Sequence, residues 1–459
     1  MVINALRKEV KPFYNGTASI ASLVILRIAF GGVMLVSTVR FLLKGWVGEF
    51  YIRPKFHFTF YGFDWVRPPG AIGTYLLFAL LIVASLMMIA GLFYRLAAVF
   101  FFLCFTYVEL MDKTTYLNHY YLVSIIAFLM ILAPAGNYFS LDVWRKPSSK
   151  VTQVPSWCIN IFRLQLLMVY FFAGLAKLNH DWLIDAMPLK IWLPANSHLP
   201  IIGGLLTHSW VAYAFSWSGA AFDLLIGFFL WNKRTIKPAY VIVVIFHLVT
   251  GWFFKIGMFP YIMIFVTLIY FPDTTHQKII NHLRGLLRIK AANQSETINK
   301  YLFANVIQQT VFTVLVIHFV LQMLLPFRYL LYPGDLYWTE EGYRFSWRVM
   351  LMEKDGTIFF HVKDPATGRQ SEIINSQYLT QFQESQMATQ PDMILQFAHF
   401  LAQEFQEKGI KAPIITAQSY VTLNGSGSRL YIDSTVDLAK ERETFGHKKW
   451  ILPFTKTQE

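Results

Sequence analysis

Apolar runs of about twenty residues recur along this chain, and each has the length needed to cross a bilayer as a helix. Nine candidates emerge: Ser19–Leu43, Ile72–Leu92, Arg95–Met111, Leu117–Pro134, Trp157–Ala176, Trp210–Trp231, Ile236–Phe253, Gly257–Phe271 and Tyr301–Leu325. The third, seventh and eighth are short or interrupted, which leaves eight spans as the alternative. Composition agrees. Charged residues are 15% of the chain, hydrophobic ones 55%, and mean hydropathy is +0.43. A soluble domain is nearer ~25% charged, so a soluble globular enzyme is excluded. The apolar content also excludes a disordered chain, and 2 Cys cannot staple a secreted domain.

The first span starts after eighteen residues, is too long for a signal-peptide core, and is followed by no A-x-A-type site. It reads as an uncleaved anchor. The net charge of +13 would point to nucleic acid in a soluble protein. Here it maps onto loops. With the N-terminus in the cytoplasm, fifteen Lys and Arg fall inside and seven outside, the bias of a cytoplasmic face. No nucleic-acid partner is expected. Nine spans then put the C-terminal part outside, and eight would put it in the cytoplasm. A bacterial inner membrane is the expected setting, with the endoplasmic reticulum as the alternative. Cys104 and Cys158 lie inside spans without metal-ligand spacing.

Composition changes after Pro326, which divides the chain into residues 1–326, a transmembrane domain, and 327–459, an extramembrane α+β domain. Arg344–Leu351 alternates apolar and mostly polar residues and predicts a strand, as does Thr357–Val362, with a turn over Asp364–Gly368. In Pro391–Lys408, Met393, Phe397, Phe400 and Leu401 share a helical face, and Gly409 marks the stop. Ile414–Leu423 and Arg429–Val436 flank a glycine-rich turn and predict a hairpin. The fold class is thus a polytopic α-helical membrane protein with a C-terminal α+β domain.

Ionisable residues within spans are costly and usually face a bundle interior or a cavity. Here they are Arg27, Glu109, Arg163, Asp223, His247 and His318. Arg27 and Arg163 are expected to pair with Asp223 or Glu109, as structural pairs or as pocket walls. Asn305, Gln308, Gln309, His318 and Gln322 give the last span a polar face suited to helix packing. Lys177 ends the fifth span between apolar neighbours, in Ala173-Gly174-Leu175-Ala176-Lys177-Leu178-Asn179-His180-Asp181-Trp182. It either snorkels to the headgroups or is a desolvated amine that can stay neutral and accept a proton. His119, in Asp112–Tyr121, falls on the same membrane face and is either an idle interfacial His or part of that site. The sequence shows no HExxH, no His–carboxylate cluster and no nucleotide-binding fingerprint, so no metal is expected.

These stretches carry a resemblance. Asp112–Tyr121, Ala173–Trp182, Phe246–Met263, Trp338–Met350 and, more weakly, Tyr431–Leu438 occur in the order seen in vitamin K-dependent gamma-glutamyl carboxylase and its microbial relatives, the horizontally transferred transmembrane (HTTM) family. The resemblance implies a polytopic enzyme in which a base deprotonates a reduced naphthoquinone. Reaction with O2 generates a strong base as the quinone is epoxidised. That base removes a γ-hydrogen from a protein glutamate, and the carbanion takes up CO2. By position, Lys177 matches the initiating base and His119 a histidine near it. Asn118, His247, Met258, Tyr343, Trp347 and Met350 lie in stretches associated with quinone binding or the catalytic cavity. The implied cofactor is reduced vitamin K or menaquinol, with O2 and CO2 as co-substrates. The implied partners are a glutamate-containing protein or peptide, the quinone and membrane lipid.

The chain departs from the animal enzymes in having Ala176 before Lys177, Asn179 in place of an aspartate, and a shorter length. This puts propeptide recognition in doubt. Two other readings stand beside carboxylation: quinol epoxidation or oxygenation alone, and a non-catalytic quinone- or lipid-binding protein or transporter.

Overall fold

A computed structural model describes residues 16–254, 256–289 and 299–455. Arg7, Lys8, Lys11, Lys255 and Lys290, all counted in the loop-charge bias, lie outside the described residues. A short strand pair, β1 (Thr17–Ser19) with β2 (Gln153–Pro155), ties the start of α1 (Ala21–Leu43) to the start of a later helix. Then come α2 (Gly70–Ala90), α3 (Tyr94–Leu110), α4 (Asn118–Leu132), α5 (Trp157–Ala176) and α6 (Ser209–Trp231). They are followed by α7 (Ile236–Phe254), α8 (Phe259–Thr267), the amphipathic α9 (Asp273–Leu286) and α10 (Asn305–Leu324). Each of the nine predicted spans is helical. Among the described residues, six helices are long and apolar enough to cross a membrane: α1, α2, α5, α6, α7 and the run from Asn305 to Leu331. Those at α3, α4 and α8 are shorter.

Small residues set the helix spacing. A Cβ on Gly174 would lie 2.5 Å from the Leu224 backbone nitrogen, and one on Gly227 2.6 Å from Leu167 Cδ1. Backbones approach closely at such positions in lipid, where no water drives the helices together. α5 and α6 therefore pack tightly enough for a side chain of one to reach the backbone of the other. Gly91 ends α2 with φ +64°, and a Cβ there would lie 1.8 Å from Arg27 Nη1.

The predicted intramembrane ion pairs do not form. Arg27 is fully buried and donates from Nη2 to the Phe139 carbonyl at 2.7 Å. Arg163 Nε donates to the Ile269 carbonyl at 3.1 Å. Glu109 accepts from Ser124 Oγ at 2.7 Å. The two arginines turn to backbone carbonyls in the loop before Ser140 and in the 3-10 turn after α8, which offer acceptors without burying a second charge. The polar face of α10 does pack against other helices: His318 meets Gln165 at 2.9 Å, and Gln322 donates to Tyr121 at 2.6 Å.

The C-terminal unit is a four-stranded sheet, ordered β4-β3-β5-β6. β3 (Lys354–Lys363) and β5 (Ile414–Leu423) pair antiparallel along their whole length, with Lys354 opposite Leu423 and Lys363 opposite Ile414. β4 (Gln370–Glu372) and β6 (Arg429–Leu430) are short edges. Helices α11 (Gln381–Met387) and α12 (Pro391–Glu407) accompany the sheet, and Met393, Phe397 and Leu401 of α12 are fully buried in its core. The helix stops before Gly409, whose φ is +100°, as its glycine signalled. The second half of the expected hairpin is shorter than read, since strand pairing ends at Leu430.

One correction concerns Arg344–Leu351. This stretch is not a strand but an irregular strap. Phe345, Trp347 and Met350 have φ of 61°, 59° and 55°, a conformation that costs a non-glycine residue about 1–2 kcal/mol. Trp347 stacks on Tyr121 at 5.0 Å and Phe345 meets the same ring at 4.9 Å. Phe345 N donates to Tyr116 Oη at 2.8 Å, and Asn118 Nδ2 to the Arg348 carbonyl at 2.7 Å. The aromatic anchors on α4 and the loop before it bend the strap out of any ladder.

Candidate functional site

Lys177 caps the C-terminal end of α5. It is 6% exposed, and its Nζ lies 2.6 Å from Oδ2 of Asp223, which is 7% exposed on α6. The Trp182 ring stands 5.3 Å from the ammonium. The amine thus does not snorkel to the membrane surface. It faces a cavity of about 390 Å³ walled largely by apolar side chains, among them Phe222, Phe246, Phe254, Phe259 and Met350. His247 of α7 lines the same cavity. Its Nε2 is 3.0 Å from Tyr170 Oη, and its Nδ1 is buried without a partner. Ile242 and Ile245 belong to the wall yet are more than half exposed on the outside of α7, so the cavity reaches the face where lipid would lie.

His119, at the start of α4, lines a second cavity of about 560 Å³ together with Asn118, Met258, Tyr343 and Arg348. The two cavities share Phe254, Ile256, Phe259, Val349 and Met350. The Phe259 ring stands between the two histidines, 5.7 Å from His119 and 5.5 Å from His247. Lys177 and His119 therefore face adjoining chambers across a wall of Phe259 and the strap. Trp347 lines neither chamber; it is 1% exposed and serves as the strap's anchor.

The loops bearing these residues are held from above. Lys113 and Arg344 grip Asp392 at 2.8 Å and 2.7 Å. Burial pushes the Asp392 carboxyl up, but the two cations more than offset this and hold it well below the usual carboxylate range. Gln383 donates to Asp112 at 3.0 Å, and Tyr337 Oη to the Ala176 carbonyl at 3.2 Å. These bonds fix the entry to α4 and the end of α5 in one rigid frame.

Two features escaped the sequence reading. Asp223 was read as a partner for arginine, whereas Gly174 and the α5–α6 crossing assign it to Lys177; the signal was an aspartate in a span opposite a small-residue position. A His–carboxylate cluster was also missed: ligand atoms of His180, Asp181 and Asp185 lie within 4.8 Å of one another. His180 already bonds Asp185 at 3.2 Å, and Asn424 donates to Asp181 at 2.8 Å.

Fold and site together define a polytopic helical membrane protein with a lysine-bearing apolar chamber roofed by an α+β unit. Residues 15–274 match the family model of the HTTM domain, and residues 307–457 that of the vitamin K-dependent gamma-carboxylase, lumenal domain. The chain belongs to this carboxylase family and is an integral membrane protein. Membership implies a vitamin K-type cofactor and a glutamate-containing protein substrate. No solved structure matches the chain.

Proposed function

We propose that this protein carboxylates the γ-carbon of protein glutamate and couples that reaction to epoxidation of a reduced naphthoquinone, with Lys177 as the initiating base. The observation that carries the reading is a lysine buried with its carboxylate partner in a largely apolar chamber that reaches the lipid face. A flat bicyclic quinol suits the aromatic walls, and the unpartnered His247 Nδ1 offers a polar contact for one of its oxygens. When bound, the quinol supplies with O2 the reducing power and the strong base needed to remove a γ-hydrogen.

The chain's own residues set the conditions. In a dry chamber a separated ion pair is costly. A proton shifted along the 2.6 Å contact from Lys177 to Asp223 leaves a neutral amine able to accept one from a weak acid. Asp223 acts through Lys177 and is a positioning residue. Phe259 and the strap shield the chamber from water, which would quench a strong base. His119 lies across Phe259, where the second chamber can receive the glutamate side chain. Asn118 fixes the strap at the chamber mouth, and Met258, Tyr343 and Met350 shape its wall.

In this reading the chain spans the membrane nine times, with the N-terminus inside and residues 327–459 forming the domain outside, at a bacterial inner membrane. Purified protein in nanodiscs, given reduced vitamin K or menaquinol, O2, labelled bicarbonate and a glutamate peptide, should yield both epoxide and fixed label. Lys177→Ala should yield neither. Epoxide without label would replace the reading with quinol oxygenation, and no quinol turnover would remove catalysis altogether.

A further inference from the structure

Among the described residues, Arg348 is a buried cation without an anion. It is 8% exposed, and its Nε has no hydrogen-bond partner. Its guanidinium lies 4.4 Å over the Tyr329 ring and beside the Tyr337 hydroxyl. The Tyr337 neighbour carries no negative charge, since burial pushes its phenol up to about 12. Other carboxylates of this unit are engaged elsewhere. Glu340 pairs with Lys354 at 3.0 Å, Glu341 with His447 at 2.7 Å, and Asp392 with Arg344 and Lys113. Asp335 accepts from the backbone nitrogens of Tyr337 and Trp338. Among the described residues, no carboxylate pairs with Arg348. Leaving a buried charge uncompensated is strongly unfavourable, and the strap that carries it is itself held in left-handed conformations by Tyr116, Tyr121 and Asn118. Backbone held in this way clusters at ligand sites.

Position gives the ligand. Arg348 lines the chamber of His119, and it also lines a separate cavity of about 400 Å³ bordered by Asn179, Asp335, Tyr337 and Ser346. This cavity of about 400 Å³ is the more polar approach, lying between the end of α5 and the C-terminal unit. Arg348 is the residue that the two cavities share, so its guanidinium stands between that approach and the chamber of His119. We infer that Arg348 is the anchor for the ionised carboxylate of the glutamate side chain offered for reaction. The planar donors of arginine match a carboxylate in a two-pronged bond, which would leave the adjacent γ-carbon directed at the chamber. The inference rests on the carboxylase reading and adds the residue that selects an acid over its amide.

The test uses the whole protein in nanodiscs of neutral lipid. The probes are the peptide Ac-Ala-Leu-Glu-Leu-Ala-amide and its glutamine counterpart, with binding read by thermophoresis without any quinol. Wild type should prefer the glutamate peptide about 10- to 100-fold, as loss of a charge-assisted bond predicts. Arg348→Gln should abolish the preference, and Arg348→Lys should restore part of it. In turnover, Arg348→Gln should raise KM for the glutamate peptide by a similar factor, with a much smaller change in kcat. No preference in wild type, or an undiminished one in Arg348→Gln, would overturn the inference. So would stabilisation by phosphatidylglycerol that depends on Arg348 without any glutamate preference, which would make the anion a lipid headgroup. Absence of epoxide and fixed label in wild type is a separate result. It would overturn the carboxylase reading, while an Arg348-dependent peptide preference would still support the anchor.

Discussion

A lysine and an aspartate 2.6 Å apart in an apolar chamber have given up their hydration, and each depends on the other. Removing one partner of a buried pair typically costs about 3–5 kcal/mol, whereas replacing both by apolar groups is often neutral. Asp223→Ala should therefore lower the unfolding midpoint in detergent clearly, and the double variant Lys177→Met/Asp223→Leu should recover most of the loss. Additive effects of the two sites would show that the pair is not coupled. For activity, Lys177→Ala should lose quinol turnover about 10²- to 10⁴-fold, the usual range for a positioned acid–base group. Lys177→Arg should not rescue it, because a guanidinium does not give up its proton. An active Lys177→Arg enzyme would rule out Lys177 as the base. The sequence made Lys177 legible because a cation flanked by apolar residues at a span end is conspicuous. It did not reveal Asp223 as the partner. That choice depends on the angle and spacing at which α5 crosses α6, which Gly174 sets and no local pattern encodes.

At the scale of elements, the unit above the membrane was legible where periodicity reflects local burial. β3, β5 and α12 follow their alternations because each buries one face against its neighbours. Arg344–Leu351 alternates as a strand would, yet its aromatics are drawn to Tyr116 and Tyr121, more than two hundred residues earlier, and no local rule sees that partner. The strap is held from the other side by the clamp of Lys113 and Arg344 on Asp392. Folding depresses the Asp392 carboxyl, so its contribution is fully present above the unfolded-state value of about 4 and is lost as pH falls toward the folded value. The midpoint of thermal unfolding should thus decline as pH falls from about 5 to 3. Asp392→Asn should flatten that decline and cost about 1.5–3 kcal/mol near pH 7, the worth of hydrogen bonds to a charged group. An unchanged slope in the variant would place the acid-sensitive contact elsewhere.

The whole molecule poses a question of sidedness. The start of α4, the end of α5 and the C-terminal unit are joined by Asn118, Tyr337 and Asp392, so all three lie at one end of the bundle. The starts of α1 and α5 meet at the other end, where Ile20 N donates to the Thr152 carbonyl at 3.1 Å. Among the described residues, six helices meet the length and apolarity for spanning. The segments at α3, α4 and α8 decide the rest, because a helix shorter than the bilayer can still cross when it is tilted or surrounded by longer neighbours. Nine crossings with the N-terminus inside put Ala366, exposed in the turn between β3 and β4, outside, and Lys233, exposed in the loop after α6, inside. Eight crossings would put Ala366 inside, and Lys233 with it where α8 is the segment that does not cross. Single cysteines at these positions separate the cases, since Cys104 and Cys158 are buried and should stay silent to a membrane-impermeant maleimide. In intact cells Ala366→Cys should label and Lys233→Cys should label only after lysis. Labelling of neither before lysis would fix an even count, with α8 as the segment that does not cross, and would place the C-terminal unit and its strap on the cytoplasmic face.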